Sequence, residues 1–413
     1  MLTGGAAANP SAAAKPAALA RCGSSSRLSR ALSRATSDIN TRRLEQSLSL
    51  TNRRIDAANA RAEASGEAWV PARSVARVSL SGVRGVADGE EVDADAARAA
   101  AASIGAAAKK TGFFKLVDTG IDAELYDEAL RLTHAINDGS ENIDFPVDFD
   151  PAAGSLIGFQ ANGRGSASRA VGRRTTGEPQ TDLIQSFTIG PTDSARCERM
   201  HVSNMDNAWP TGCAAAEAFK NKITLLYSEI EALSRDVKAL LAMSVGLDRK
   251  TFITPMANHA GLLRANYYPP CEKTDNAHGK FGSLGAHTDF GTVTLLVADA
   301  DGLEVCEDGE WRRVVSDPAD HAVNVNVADM MRQWTNDIFA SGLHRVRMPG
   351  GNTASRASIA FFSDDIICKA PHFAETETPI EPLAELLEPG EEPHYAAEKW
   401  SAVLMRRYMR VVS

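Results

Sequence analysis

In GAHTDFG, residues 285–291, His287 and Asp289 stand two positions apart inside a segment of strand-like composition. Side chains at i and i+2 of an extended chain project to one face, so an imidazole and a carboxylate can converge there while Thr288 turns away. A third ligand has to come from elsewhere. His344 in SGLHRVRMP, 55 positions after Asp289 (344 minus 289), sits on a later segment that also reads as strand. Two imidazoles and one carboxylate on one side of a metal leave the opposite positions open, which suits non-haem Fe(II) and oxygen chemistry. Taken alone, the same pattern also fits a solvated strand end in a chain with 9 histidines.

Beyond His344, RASIAFF puts Arg356 and Ser358 on one strand face with Ala360 and Phe362. A buried Arg needs an anion. Its planar fork binds a carboxylate bidentately and a Ser hydroxyl adds one donor, so the pair reads as a clamp for the far end of a dicarboxylate. The alternative is a surface Arg on a strand edge. Phe362 reads either as a lining residue of a substrate pocket or as a core aromatic.

The elements that must carry these groups are legible in outline. ADAARAAAASIGAAAKKTG, residues 94–112, predicts an Ala-rich helix entered at Asp93 or Asp95 and stopped by Gly112, followed by a strand in GFFKLVD. A second helix is expected over DAELYDEALRLTHAIND, with Asp122 near its start. Residues 151–190, rich in Gly, Arg, Ser and Thr and without a period, read as a long surface excursion. Apolar residues at three- and four-residue intervals, among them Ile223, Leu226, Ile230, Leu233, Val237 and Leu241, predict one long helix over 214–247. After Leu262, short β-prone segments alternate with turn signals, and Asp308-Gly309 between LEVC and WRRV marks a hairpin. Helices around an antiparallel β core make one composite α+β, mainly β, domain.

The bulk composition narrows the class. With 413 residues, 44% hydrophobic and 23% charged, the chain can bury a large core. A net charge of -9 offers no basic field for nucleic acid, and no apolar run is long enough for a membrane span. Six scattered cysteines without a CxxC pair fit a reducing compartment. No Asp or Glu precedes Asp38, whereas Lys15, Arg21, Arg27, Arg30 and Arg34 do, in an Ala/Ser background; this is transit-peptide composition, with plastid favoured over mitochondrion or cytoplasm. A merely Ala/Ser-rich tail is the plain alternative. Everything before Val70 is expected to lie outside the fold.

ANYYPPC, GAHTDFGTVTLL, DGLEV, WRRVV, VNVADMMRQWTND, GLHRVRMP and RASIAFF, in that order, resemble the plant-type 2-oxoglutarate/Fe(II)-dependent dioxygenases, the branch that includes isopenicillin N synthase. TGFFKLVDTGID and NAWP resemble two further elements upstream, with DTG at 118–120 where the family usually has NHG and a slightly longer loop in MPGGNTAS. The resemblance implies a double-stranded β-helix, or jelly roll, with supporting helices. Its expected parts are a transit peptide and linker over 1–69, a largely helical region over 70–250, a jelly-roll core over 251–375 and a helical extension over 376–413. It implies that His287, Asp289 and His344 hold Fe(II), that Arg356 and Ser358 bind the distal carboxylate of 2-oxoglutarate, and that Asn266 and Tyr268 contact that co-substrate. Tyr268 reads equally well as a core aromatic. The resemblance also implies dioxygen as the oxidant, with ascorbate as an accessory reductant. The expected activity is hydroxylation or desaturation of a small organic substrate with release of succinate and CO2, with no obligate protein partner. An oxidase that does not use 2-oxoglutarate and a non-catalytic jelly-roll sensor are the alternatives.

Overall fold

The computed structural model describes residues 49–62, 75–148, 157–161, 182–192, 207–257, 259–270, 282–316, 320–348, 354–367 and 377–412. The basic segment before residue 49, including the residues read as transit peptide, lies outside the described residues, as does most of 151–190.

Residues 49–62 form helix α1. This corrects the expectation that everything before Val70 lies outside the fold. Ile55 and Ala58, one helical turn apart, are buried against Cys306, Trp311 and Leu343, while Asn59 Oδ1 accepts hydrogen bonds from Trp311 Nε1 at 2.8 Å and an Arg345 guanidinium nitrogen at 3.1 Å. The helix escapes notice in the sequence because only this narrow stripe is apolar.

The chain then runs through β1 (Ala76–Ser79), α2 (Ala94–Lys110), β2 (Phe113–Val117) and α3 (Ala123–Ala135). Asp93 caps α2 by accepting from the backbone of Asp95 and Ala96, and Asp122 caps α3 in the same way through Glu124. Gly112, at φ +76, ends α2's approach to β2 where a Cβ would meet the Ala340 carbonyl at 2.2 Å, so glycine is required there. Next come β3 (Gly158–Gln160), β4 (Gln185–Ile189) and the 31-residue α4 (Ala214–Ser244). β5 (His259–Tyr268), β6 (Gly282–His287), β7 (Val293–Ala298), β8 (Leu303–Glu307), β9 (Glu310–Arg313), β10 (Val323–Val327), α5 (Asp329–Trp334), β11 (His344–Arg347), β12 (Arg356–Ile367) and α6 (Trp400–Val412) complete it.

Two sheets face each other in the jelly-roll manner. The larger has order β1-β2-β10-β7-β12-β5-β4-β3, the smaller β6-β11-β8-β9. All pairings are antiparallel except β1 with β2. The β8–β9 turn has Asp308 at φ 52 and Gly309 at φ 76, the left-handed pair a two-residue hairpin needs. One expectation changes: the excursion over 151–190 supplies β3 and β4 to the large sheet. β1 and β2 extend the same sheet from the N-terminal side.

α2, α3 and α4 cover the outer face of the large sheet. Val293, Leu295, Val297, Val323, Val325, Ile359 and Phe361 point into this core with Ile223, Leu226, Ile230 and Leu233 of α4. One ionic pair interrupts the apolar layer: Lys238 Nζ of α4 donates to Asp364 Oδ2 at 2.8 Å, both buried. Asp364, at φ 64, sits where the β12–β5 register shifts, and also accepts from Thr292 Oγ1 and Ser363 Oγ. Lys238→Met would leave that carboxylate without its cation, and an unfolding free energy lower by about 3–5 kcal/mol is expected in denaturant titration. A loss below about 1 kcal/mol would show that the pair is not a structural anchor.

Candidate metal centre

His287 ends β6 and His344 opens β11, and the two are directly paired across the small sheet. Their rings lie 4.3 Å apart by centroid. Asp289 follows two residues after His287, just beyond the strand. His287 Nε2 is 3.5 Å and His344 Nε2 3.9 Å from Asp289 Oδ1, and one ligand atom from each residue falls within 4.8 Å of the others. The three groups expected from sequence therefore meet at one point.

The neighbours fix which atoms are available. His287 Nδ1 is 2.7 Å from the Gly285 carbonyl and His344 Nδ1 is 2.9 Å from the Gly342 carbonyl. A carbonyl can only accept, so each Nδ1 carries a proton and Nε2 is the nitrogen left to face the metal point. Asp289 Oδ2 accepts from Thr294 Oγ1 at 2.6 Å and from Asn326 Nδ2 at 2.8 Å, which turns Oδ1 toward the imidazoles. Burial drives the Asp289 carboxyl up, yet the facing His344 and His287 rings and the Thr294 hydroxyl outweigh it and hold it well below the usual carboxylate range. Burial, joined by the neighbouring His287, pushes His344 down to about 4. An ionised carboxylate with a neutral imidazole beside it is the protonation state a divalent metal requires.

The large sheet supplies the opposite wall. Cross-strand partners share a face, and the registers pair Arg356 with Tyr268, Ser358 with Asn266 and Ala298, Ala360 with Arg264 and Leu296, and Phe362 with Thr294. Asn326 pairs with Thr294 on the next strand. All these residues thus line the face from which Thr294 and Asn326 reach Asp289. Arg356 is 1% exposed. Its Nε donates to the Ala300 carbonyl at 3.0 Å, one terminal nitrogen to Ser358 Oγ at 3.3 Å, and its Cζ lies 4.9 Å from the Tyr268 ring centre. Among the described residues no acidic side chain forms an ion pair with it, and the buried Asn266 Oδ1 has no hydrogen-bond partner. Gly302 packs against Arg356, and a Cβ there would lie 3.3 Å from Nε. A buried guanidinium that no acidic side chain pairs fits an anionic guest, so the residues present suit both Fe(II) and 2-oxoglutarate. Phe362 stands at the metal end of this face, half-buried, with the Arg264 guanidinium 5.8 Å above its ring.

Several contributors carry little or no sequence signal. Asn326 reads in the sequence as a hydrogen-bonded structural residue; its partner is a metal-ligand carboxylate. Thr294 shows nothing beyond strand propensity. Asp182, from the segment read as excursion, accepts from Gly285 N at 3.0 Å and so steadies the end of β6 that carries His287. A separate cavity of about 260 Å³, lined by Tyr126, His134, Asp299, His321 and Asn324 among others, includes none of the three ligands.

Comparison with known proteins agrees with this geometry. Residues 259–365 match the model of the 2OG-Fe(II) oxygenase superfamily. A 2-oxoglutarate-dependent dioxygenase of Monascus ruber is 31% identical over 290 residues, covering 67% of this chain and 81% of the relative. Gibberellin 20 oxidase 4 of Arabidopsis thaliana is 30% identical over 278 residues, with coverages of 66% and 68%. A full-length Neurospora crassa protein, solved in complex with alpha-KG, superposes with a TM-score of 0.62 at 21% identity, over 81% of this chain and 96% of that one, which shows the shared fold.

Removing the Asn326 bond would let the Asp289 carboxylate rotate. Asn326→Ala is expected to weaken Co(II) binding, read by calorimetry, about 10–100-fold while leaving the secondary structure intact. Unchanged metal affinity would mean that Thr294 alone orients Asp289.

Proposed function

The chain belongs to the 2OG-Fe(II) oxygenase superfamily and is a 2-oxoglutarate-dependent dioxygenase; from that premise we propose how its own residues divide the work. His287, Asp289 and His344 would hold Fe(II) through Nε2, Oδ1 and Nε2. Arg356 and Ser358 would grip the distal carboxylate of 2-oxoglutarate, with Asn266 and Tyr268 flanking it. The single observation that carries this assignment is the buried Arg356 guanidinium with no acidic partner among the described residues.

The iron and co-substrate together supply oxidative decarboxylation by dioxygen, yielding succinate and CO2 and the oxidising power that hydroxylates or desaturates a C–H bond of a small organic substrate. The protein's part is placement and exclusion of water. Arg356 would neutralise one end of the co-substrate and leave its other end free for the metal. Burial of Tyr268 pushes its phenol up and keeps it a proton donor. Asn326 and Thr294 hold Asp289 in its ligating orientation. Phe362 would form the wall against which the prime substrate rests, and ascorbate would serve as an accessory reductant.

The relatives named above include a gibberellin oxidase, and the Neurospora crassa protein was also solved with thymine; a compact small molecule is the reading both support for this chain. An acidic balance argues for no nucleic-acid partner, among the described residues no helix is long and apolar enough to cross a membrane, and we infer action without an obligate protein partner. We further infer an organelle location, plastid favoured, from the basic, acid-free composition before Asp38. A fluorescent reporter carrying residues 1–69 should collect in plastids, and a cytosolic signal would overturn that reading.

Arg356→Ala removes the anion's charged partner, so 2-oxoglutarate affinity should fall by at least ~1.5 kcal/mol, read by anaerobic titration of the charge-transfer band, with succinate release falling in parallel. Retained affinity would refute the clamp. Turnover of the wild-type chain without succinate would favour instead an oxidase that uses the clamp for its own substrate's carboxylate.

A further inference from the structure

The segment that carries Asp289 leaves the small sheet at His287 and joins no ladder until Val293, so it is held by individual backbone bonds and by side chains. One of its supports comes from the far end of the chain. α6 buries Trp400, Val403 and Leu404 in the main core, and Arg407, one turn further on and 2% exposed, points its guanidinium into the protein. There it forms a close ion pair with Asp329 Oδ2 and lies 5.1 Å from the Phe290 ring centre.

Asp329 connects that cation to the metal ligands. Its Oδ2 accepts from Thr288 Oγ1 at 3.1 Å, and Thr288 is the residue between His287 and Asp289. Its backbone nitrogen donates to the Asp289 carbonyl at 3.0 Å, and the Met330 nitrogen donates to the Phe290 carbonyl at 3.1 Å. Arg332 approaches the other oxygen, Oδ1, at 3.6 Å. The two oxygens are thereby distinguished: Arg332 faces one, while Arg407 and Thr288 share the other. A buried carboxylate that lost the Arg407 charge would turn toward Arg332 and withdraw its acceptor from Thr288.

We propose that Arg407 is a positioning residue for the metal centre, acting through Asp329 and Thr288 below the 288–290 turn and through Phe290 beside it. The C-terminal helix is then a working part of the site and not only a cover for the core. This rests on the reading of His287, Asp289 and His344 as the metal ligands, and it involves no contact between Arg407 and substrate or metal.

The test uses the full chain and Co(II), whose visible d–d bands report ligand geometry without turnover. Wild type, Arg407→Met, Arg407→Lys, Thr288→Val and the Arg407→Met/Thr288→Val double variant are titrated. Arg407→Met should bind Co(II) about 10-fold more weakly with altered bands, Arg407→Lys should recover at least part of both, and the double variant should lose little more than the worse single one, since both groups act through one carboxylate. Arg407→Met with wild-type affinity and bands, or single effects that add in full, overturns the proposal. If Arg407→Met does not fold, Thr288→Val and Arg407→Lys decide: wild-type Co(II) affinity and bands in both overturn it, and weakened binding in Thr288→Val that Arg407→Lys shares in smaller degree supports it. Wild-type Co(II) bands in the single variant His344→Ala would sink the metal-centre reading itself, a result distinct from failure at Arg407 alone.

Discussion

The site depends on one desolvated carboxylate. Asp289 is buried, and a buried carboxylate stays ionised only where donors and positive charge compensate what water no longer supplies. Thr294 and Asn326 satisfy one oxygen. The other faces two imidazole Nε2 atoms, each ring anchored through Nδ1 to a backbone carbonyl. The three groups converge within a few ångströms, and once both Nε2 atoms are free of protons they repel one another as three acceptors. A divalent cation resolves that conflict, and the fold maintains the conflict by holding every one of the three from behind.

Strand register extends the same logic to the co-substrate. With a period of two, a single ladder fixes which side chains see the interior. Because Phe362 pairs with Thr294, the even-numbered positions of β12 from Arg356 to Phe362 all lie on the metal face. The same register turns Ala357, Ile359 and Phe361 into the core under the helices. A one-residue slip would send Arg356 into that apolar core, so the packing of α4 against the sheet also specifies the clamp.

What could be read in advance follows from how local each signal is. The His287/Asp289 spacing, the Asp308-Gly309 turn, the Asp93 and Asp122 caps and the period of α4 are properties of a few adjacent residues, and each lies where its chemistry puts it. β4 is obscured by its setting: Ser186 and Thr188 face inward beside Asn266 and Arg264, while Phe187 and Ile189 face the core, five alternating residues inside a Gly- and Ser-rich stretch. α1 announces itself by Ile55 and Ala58 alone. The roles of Asp182 and Arg407 have no local signature, because a carboxylate 103 residues from Gly285 and a guanidinium 78 residues from Asp329 acquire their meaning only by tertiary contact.

The stretch from Thr288 to Thr292 shows why such distant contacts are needed. Its backbone belongs to no ladder, since a strand continued past His287 would carry Asp289 away from His344. Irregular backbone outside a ladder is held by single bonds and by side chains. Here a buried ion pair stands at each end: Arg407–Asp329 receives Thr288, and Lys238–Asp364 receives Thr292. Backbone bonds from Ala328, Asp329 and Met330 to Thr292, Asp289 and Phe290 tie the middle. Ion pairs of this kind add little net stability over apolar packing, but they are directional. The sheet gives the imidazoles their places, and two helices from opposite ends of the catalytic region give the carboxylate its own.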